Sequence, residues 1–304
     1  MEINSEQQEI GKMFLPRKPQ MYDQLKKINP EHELVVEYDE ALEAYARNWN
    51  KLVEEGQKRV EESKPVLPEL APMKFESLYE VFKLQFYANE GVEFDGTANN
   101  GEAELFVMTL IAYFLKRGNF KRSPLIYKEK EDSIVSFDKG LLIIGGYGCG
   151  KTSIIKAFHK LFNNAFTMPV YVKDKNENTQ PLRRYKLHFG FITTNKLVSD
   201  YEVLNNEAER EVFWTRHLNF PKYFDDLMTE RKANNYGKVD LMKDILEERY
   251  SKKSLTMASC NFAEENNTVK GTLEAIAERY GERVYDRLYS MFNIVVLNGR
   301  SLRK

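Results

Sequence analysis

The spacing of apolar residues divides the chain into an N-terminal part with helical patterns and a C-terminal part rich in strand patterns. From Leu34 to Ser63, apolar residues recur at helical spacing among many charges, which predicts a long amphipathic helix. Two more helices are predicted, from Phe75 to Ala88 and from Glu102 to Lys116, with a Gly- and Asn-rich loop between them. We therefore expect a mainly helical N-terminal region over residues 1–122. The apolar stripe of its first helix either packs within that region or contacts a partner.

After residue 123, short β-rich runs alternate with helical patterns. The runs are Ile134 to Phe137, Leu141 to Ile144, Val170 to Val172, Tyr185 to Thr193, Ser254 to Asn261 and Phe292 to Leu297. Such alternation is typical of a parallel sheet that is covered by helices. The sequence thus predicts an α/β domain over residues 123–304, with its boundary to the helical region within residues 122–135.

A glycine-rich segment follows the most apolar of these runs. Gly145, Gly150, Lys151 and Thr152 fit the pattern G-x-x-x-x-G-K-[ST], the phosphate-binding P-loop. Glycines let the backbone N–H groups approach a phosphate closely, and the N-terminus of the following helix favours negative charge. The predicted binding residues are Gly145, Gly146, Tyr147, Gly148, Cys149, Gly150, Lys151, Thr152 and Ser153. We expect Lys151 to bind the β- and γ-phosphates of a nucleoside triphosphate and the Thr152 hydroxyl to bind Mg²⁺.

An enzyme of this kind also needs acidic residues beside the P-loop, to hold Mg²⁺ and to orient water. The best candidates are Asp225 for the metal and Asp226 for the attacking water. The residues before them match the pattern of a buried strand poorly, because Pro221 and Lys222 interrupt the apolar run. The alternative is that the two acids lie in a surface turn. The adjacent acids at 131–132 are a weaker rival, since charged residues precede them.

Three more polar residues are candidates for a role at the phosphates. Asn261 ends a predicted strand at the edge where parallel sheets bind ligands, although a turn-forming asparagine is an equal alternative. Arg287 lies on one helical face with Arg283, four residues before it, and Arg303 lies near the C-terminus. These arginines are either solvated or supply positive charge to the transition state, within the subunit or across an interface.

Composition limits the remaining function classes. The formal net charge of −1 gives no global case for nucleic-acid binding, so any such contact must be local. The run from Arg183 to His188 is the dense basic and aromatic segment of the α/β domain, with a charged edge strand as the alternative reading. Cys149 and Cys260 are too few for a disulfide framework or a four-cysteine zinc site. No apolar run approaches the ~18 residues of a membrane span, and no secretory signal is recognisable, so a cytoplasmic protein is expected.

Together these residues resemble the AAA+ domain of DnaC-type helicase loaders and of the related IstB transposition helpers. The likeness spans roughly residue 136 to the C-terminus, and nothing comparable is found for residues 1–122. The marks are the loop from Gly145 to Thr152, Asp225-Asp226-Leu227 with Thr229-Glu230, Ser259-Cys260-Asn261, Gly281-Glu282-Arg283-Val284 with Asp286-Arg287, and Ser301 with Arg303.

The resemblance implies a role for each matching residue. Lys151 and Thr152 would bind phosphate and Mg²⁺, and Asp225 and Asp226 would be the Walker B acids. Asn261 would be the sensor 1 residue. The remaining three are arginines near the end of the chain. Arg287 would be a finger acting on a neighbour's ATP, Arg283 would lie beside it at the interface, and Arg303 would sense the γ-phosphate.

The implied activity is ATP binding and hydrolysis by an AAA+ protein that assembles head to tail as a homo-oligomer. The second Walker B acid is Asp226 rather than the commoner Glu, so we expect hydrolysis to be slow. Its implied partners are a replicative helicase and single-stranded DNA, with the N-terminal region gripping the helicase. One alternative is an IstB-like helper of a transposase. Another, outside this family, is a small-molecule kinase, which also needs a P-loop. The last alternative is a scaffold protein that binds nucleotide without hydrolysing it.

Overall fold

The computed structural model describes residues 15–62, 69–129, 133–234, 237–263 and 268–302. The chain divides into two compact units, Met1–Glu69 and Leu70–Lys304. The division therefore falls well before the boundary near residue 122 that the sequence predicts. The physical reason is the packing of the two helices that follow residue 70, which is described below.

Among its described residues the first unit contains two helices, α1 (Tyr22–Ile28) and α2 (Glu33–Glu62), and α2 is the long helix predicted from sequence. A small polar and aromatic cluster joins them. Lys26 Nζ donates to the hydroxyl of Tyr22 and to Asp39 Oδ2, at 2.7 Å in each case. The rings of Tyr22 and Tyr38 pack edge to face with centroids 4.8 Å apart. These contacts fix the first turns of α2 against α1.

The second unit is built on a sheet of six strands within the described residues. In chain order its elements are α3 (Phe75–Glu90), α4 (Glu102–Phe114), a 3₁₀ turn (Gly118–Arg122), β1 (Ile126–Tyr127), β2 (Gly140–Gly145), α5 (Lys151–Asn164), β3 (Tyr171–Lys173), β4 (Thr179–Pro181), a 3₁₀ turn (Leu182–Tyr185), β5 (Gly190–Thr193), α6 (Thr194–Glu202), α7 (Glu207–Leu218), β6 (Lys222–Asp225), β7 (Ala233–Asn234), β8 (Lys238–Val239), α8 (Leu241–Ser251), β9 (Thr256–Asn261), α9 (Val269–Tyr280), α10 (Glu282–Met291) and β10 (Phe292–Leu297).

The strand order is β1-β10-β2-β9-β6-β5. Only the short edge pairing of β1 with β10 is antiparallel; the other pairs in this sheet are parallel. Strand β2 is buried along its whole length. Its side chains alternate between two apolar cores, because successive residues of a strand face opposite sides of the sheet. Leu141 and Ile143 belong to one core, and Leu142 and Ile144 belong to the other.

Helices α3 and α4 cover the first of these faces together with α5. Phe82 of α3 stacks on Phe158 of α5 with ring centroids 4.5 Å apart, and Phe114 lies 5.3 Å from the same ring. Leu78 and Leu110 are fully buried in this core. Because these apolar faces are buried against the P-loop helix, the predicted helices over 75–116 form part of the α/β unit.

Several predicted strands differ from the observed ones. Residues 134–137 form no strand among those described, and the run at 170–172 lies in the separate β3–β4 hairpin. Of the run from 185 to 193, only β5 is a strand; Tyr185 ends a 3₁₀ turn, and residues 186–189 form no regular secondary structure. None of the described helices is long and apolar enough to cross a membrane.

The sequence reading of β6 as a poor strand is wrong. All four of its residues are buried between β9 and β5. Pro221 precedes the strand, and its carbonyl accepts from Gly190 N at 2.9 Å. Lys222 is accommodated because its Nζ donates to Arg216 O at 2.9 Å and to His217 Nδ1 at 3.0 Å. A lysine stem can pack as an apolar group when its amine finds acceptors.

Candidate nucleotide-binding site

The P-loop occupies the turn between the central strand β2 and the helix α5. Gly148 and Gly150 have φ angles of 72° and 98°, in the left-handed region that glycine adopts without steric cost. Gly145 lies where the chain is tightly packed, since a Cβ there would come within 2.9 Å of Leu297 Cβ. The predicted strand–loop–helix arrangement is therefore observed, with α5 beginning at Lys151.

Lys151 is buried, with 5% of its surface exposed, and it bends back over the loop. Its Nζ donates to the carbonyls of Gly145 and Gly146, at 2.8 Å in each case, and to Asn261 Oδ1 at 3.0 Å. Asn261 is in reach because β2 and β9 are parallel neighbours with Gly145 opposite it in register. The structure thus brings Lys151 and Asn261 together at the carboxyl edge of the sheet, where parallel sheets bind ligands.

Asp225 ends β6 at the same edge and is almost fully buried. Its Oδ1 accepts from Ser259 Oγ at 2.7 Å, from Thr152 Oγ1 at 3.2 Å and from the Tyr223 hydroxyl at 3.5 Å. Burial raises the pKa of Tyr223 well above its ordinary value, so the phenol stays a proton donor. The P-loop threonine and the candidate metal-binding carboxylate are therefore in contact.

The donor set around Thr152 and Asp225 fits Mg²⁺. A hydroxyl and a carboxylate are hard oxygen ligands, and Mg²⁺ is often held by one or two carboxylates together with substrate phosphates. The described residues contain no cluster of three or more His, Cys, Asp and Glu side chains of the kind that encloses a metal.

Asp226 follows directly and adopts a left-handed backbone with φ of 60°. Its N–H donates to Ser259 Oγ at 3.2 Å, and its carbonyl accepts from Thr194 Oγ1 at 2.7 Å and Thr229 Oγ1 at 2.8 Å. Aspartate tolerates this conformation better than most residues, and such backbone strain is concentrated at functional sites. The peptide that carries the second candidate acid is consequently fixed on both sides.

Ser259 belongs to this site, although sequence reasoning assigned it no role. It is fully buried on β9, and its single hydroxyl bridges the Asp225 carboxylate and the Asp226 N–H. The sequence contained only a weak indication that Ser259 lies at the site. Ser259 lies two residues before Asn261, so strand alternation puts both on one face of β9.

The arginines of α10 do not join this cluster within the described contacts. Arg283 is largely exposed and donates to Glu247 Oε2 of α8 at 3.4 Å. The Arg287 guanidinium lies 4.5 Å from the ring centroid of Tyr250, also on α8. Arg303 lies outside the described residues, as do the rival acids at 131–132.

The basic run from residue 183 to 188 is not an edge strand. Arg183 and Arg184 lie in the 3₁₀ turn that follows the β3–β4 hairpin. Arg183 is exposed, whereas Arg184 donates to Gln180 Oε1 at 2.6 Å. Within the run, His188 contacts the exposed Phe166 edge to face, with ring centroids 5.2 Å apart. The segment presents basic and aromatic side chains together on the surface.

No family model matches the sequence, and no curated protein matches it. Among solved structures the chain is similar to one described as the crystal structure of the DnaC helicase loader. The identity is 23%, the TM-score is 0.38, and the match covers 53% of this chain and 79% of that one. This likeness is too distant to support any conclusion about activity or partners. The predicted fold class, an α/β P-loop NTPase with a largely parallel sheet flanked by helices, is confirmed by the sheet and the loop.

Proposed function

We propose that this chain binds ATP with Mg²⁺ and hydrolyses it slowly, as an AAA+ ATPase. The observation that carries the proposal is the convergence of Lys151, Thr152, Asp225 and Asn261 at one edge of three neighbouring strands. A chance glycine-rich turn would not be expected to place a lysine against the amide of one neighbouring strand and the next residue's hydroxyl against a buried carboxylate of another.

Each residue has a distinct task in this proposal. Lys151 leaves the carbonyls of its own loop and donates to the β- and γ-phosphates. Thr152 and Asp225 would hold Mg²⁺, which neutralises phosphate charge in the transition state when it is bound. Asp226 orients the attacking water, and Asn261 donates to the γ-phosphate. Ser259 keeps the two acids in position.

Two variants test this assignment. Lys151→Ala should abolish tight binding of a fluorescent ATP analogue, because the loop loses its cation at the phosphates. Asp226→Asn should retain binding but slow phosphate release. The exposed Lys160 lies on the same helix, so Lys160→Ala is the matched control and should bind normally. ATP affinity that is unchanged in Lys151→Ala would refute the site.

The proposed biological role is that of a helicase loader acting in the cytoplasm. Head-to-tail assembly would present Arg287 to the ATP of a neighbouring subunit, and Arg303 would contact the γ-phosphate. The partners would be a replicative helicase and single-stranded DNA. The resemblance of the ordered motifs supports this role, and the exposed basic and aromatic segment near Arg183 supports the DNA contact.

A pull-down from the native cell with the Asp226→Asn protein tests the role separately from the chemistry. Recovery of a helicase supports the loader proposal. Recovery of a transposase instead favours the IstB-like alternative and refutes the loader role. ATP turnover that needs no protein partner and that transfers the γ-phosphate to a small molecule would favour a kinase.

A further inference from the structure

The segment that follows β10 returns to the P-loop. We call residues Asn298 to Leu302 the C-terminal strap. The Leu302 N–H donates to the carbonyl of Gly148 in the middle of the loop at 2.9 Å. A Cβ built on Gly150 would lie 3.8 Å from Leu302 Cδ1, and one on Gly146 would lie 3.5 Å from the carbonyl oxygen of Gly299. The strap therefore runs along the loop.

Two side chains from another part of the fold hold this strap. The carboxylate of Glu102, the first residue of α4, accepts from Asn298 N at 2.8 Å and from Gly299 N at 2.7 Å. Asn99 accepts from Arg300 N at 3.0 Å and donates to Arg300 O at 3.1 Å. All four bonds are to the strap's backbone, so they fix its path whatever its side chains do.

The backbone that carries Asn99 has an unusual conformation where these bonds are made. Asn99, Asn100 and Gly101 are consecutive left-handed residues, with φ angles of 55°, 58° and 85°. Such a run is costly for residues other than glycine and persists only where surrounding contacts hold it. Gly299 is equally constrained, because a Cβ there would come within 2.2 Å of Asn99 Nδ2. A side chain at position 299 would therefore displace the Asn99 and Glu102 side chains that hold the strap.

The strap fixes one peptide of the phosphate-binding loop. The C=O and N–H of a trans peptide point in opposite directions. Holding the Gly148 carbonyl toward the strap therefore turns the Cys149 N–H to the opposite side of the loop, where a bound phosphate would accept from it. A loop already held in its binding shape loses less conformational freedom when the ligand arrives.

We propose that Glu102 and Asn99 are positioning residues for nucleotide binding, which act by clamping the C-terminal strap onto the P-loop. The inference rests on the proposed ATP site. It links the helical segment before the sheet to that site. Neither residue touches the nucleotide in this proposal, and both act through the strap.

The first test is Glu102→Gln in the full chain. The amide has the same shape, but it keeps one acceptor oxygen and places an NH₂ group against a backbone N–H. A hydrogen bond to a charged group contributes enough that losing it should raise the Kd for a fluorescent ATP analogue roughly tenfold. Asn99→Asp should act in the same direction, since aspartate tolerates the left-handed backbone but repels the Arg300 carbonyl. Glu104→Gln removes the same charge from the same helix turn without touching the strap, and should bind normally.

The decisive test combines Glu102→Gln with a chain that ends after Leu297. If Glu102 acts through the strap, its substitution should have no further effect on ATP affinity once the strap is gone. An equal loss of affinity in the shortened chain would overturn the proposal. A lowered melting temperature with unchanged affinity in the full chain would also overturn it, because that pattern describes a purely structural residue.

Amide hydrogen exchange separates failure of the clamp from failure of the ATP site. In Glu102→Gln without nucleotide, the amides of Asn298, Gly299 and Leu302 should lose protection. If the wild-type protein binds no ATP at all, the proposed function fails, whatever these amides do. If ATP binds but the exchange of these amides is unchanged in the variant, the ATP site stands and the clamp is refuted.

Discussion

Lys222 offers a sharp physical test of the sheet that carries Asp225. This lysine is 7% exposed at the start of β6. Burial, with the positive charges of Arg249 and Arg216 nearby, lowers the pKa of Lys222 from 10.5 to about 8. The same burial, with Lys222 as a further cause, lowers the pKa of His217 to about 3, so the imidazole is neutral and accepts from Lys222 Nζ.

The magnitude follows from the difference between these two pKa values of Lys222. A change from 10.5 to about 8 corresponds to about 3 kcal/mol, at ~1.4 kcal/mol for each tenfold change in proton affinity. Below about pH 8 the amine is charged in both the folded and the unfolded chain, so burial of the charge lowers the free energy of unfolding by this full amount. Between about pH 8 and pH 10.5 the unfolded chain binds more protons than the folded one. Stability that is attributable to this group therefore rises with pH across that window.

The variant Lys222→Met removes the titrating amine while retaining an unbranched apolar stem. Urea unfolding followed by circular dichroism, from about pH 7 to about pH 10.5, gives the free energy of unfolding of both proteins. The wild type should gain about 3 kcal/mol relative to the variant across this range. Ionisation of the buried tyrosines affects both proteins and cancels in the difference. The exposed Lys252, changed to Met, is the control. A pH-independent difference between wild type and Lys222→Met would refute the reasoning.

Three further predictions concern the site and its assembly. Ser259→Ala should cost roughly 1.5–3 kcal/mol in urea unfolding, because the buried Asp225 carboxylate loses a donor; Ser254→Ala, which loses a bond to a neutral carbonyl, should cost less, and an equal cost would contradict the charge argument. Mixing Lys151→Ala with Arg287→Ala should restore part of the stimulated ATPase activity that each lacks alone, since a finger is worth roughly 10³–10⁵ in rate; no rescue at any ratio would refute a finger acting between subunits. Replacing Arg183 and Arg184 by Ala should flatten the salt dependence of single-strand binding, whereas replacing Lys252 and Lys253 should not; equal slopes for all three proteins would place DNA elsewhere.

Local patterns were sufficient for much of the fold and for the centre of the site. The spacing of apolar residues placed α2, α3 and α4 within a few residues of their observed ends. The P-loop was readable because its chemistry requires glycines, a lysine and a hydroxyl at fixed spacing along one turn. Strand alternation and the edge rule for parallel sheets then brought Asn261 to the same place.

Strand β6 shows where local reasoning failed. Lys222 looked like a break in an apolar run, because sequence alone did not reveal that Arg216 and His217 would meet its amine. The helices over 75–116 were assigned to a separate N-terminal region for a similar reason. Their apolar faces were visible in sequence, but the surface that they cover was not.

The sequence by itself determined what depends on neighbours along the chain: the helical and strand periods, the phosphate-binding loop, and the residues that end the central strands. Only the tertiary structure decided what depends on strand order and on contacts between distant segments. The bond from Ser259 to Asp225 joins residues on neighbouring strands, and the grip of Glu102 on Gly299 joins residues nearly two hundred positions apart. Neither contact leaves a periodic trace, because each is made by a single side chain whose partner is fixed by the path of the whole chain.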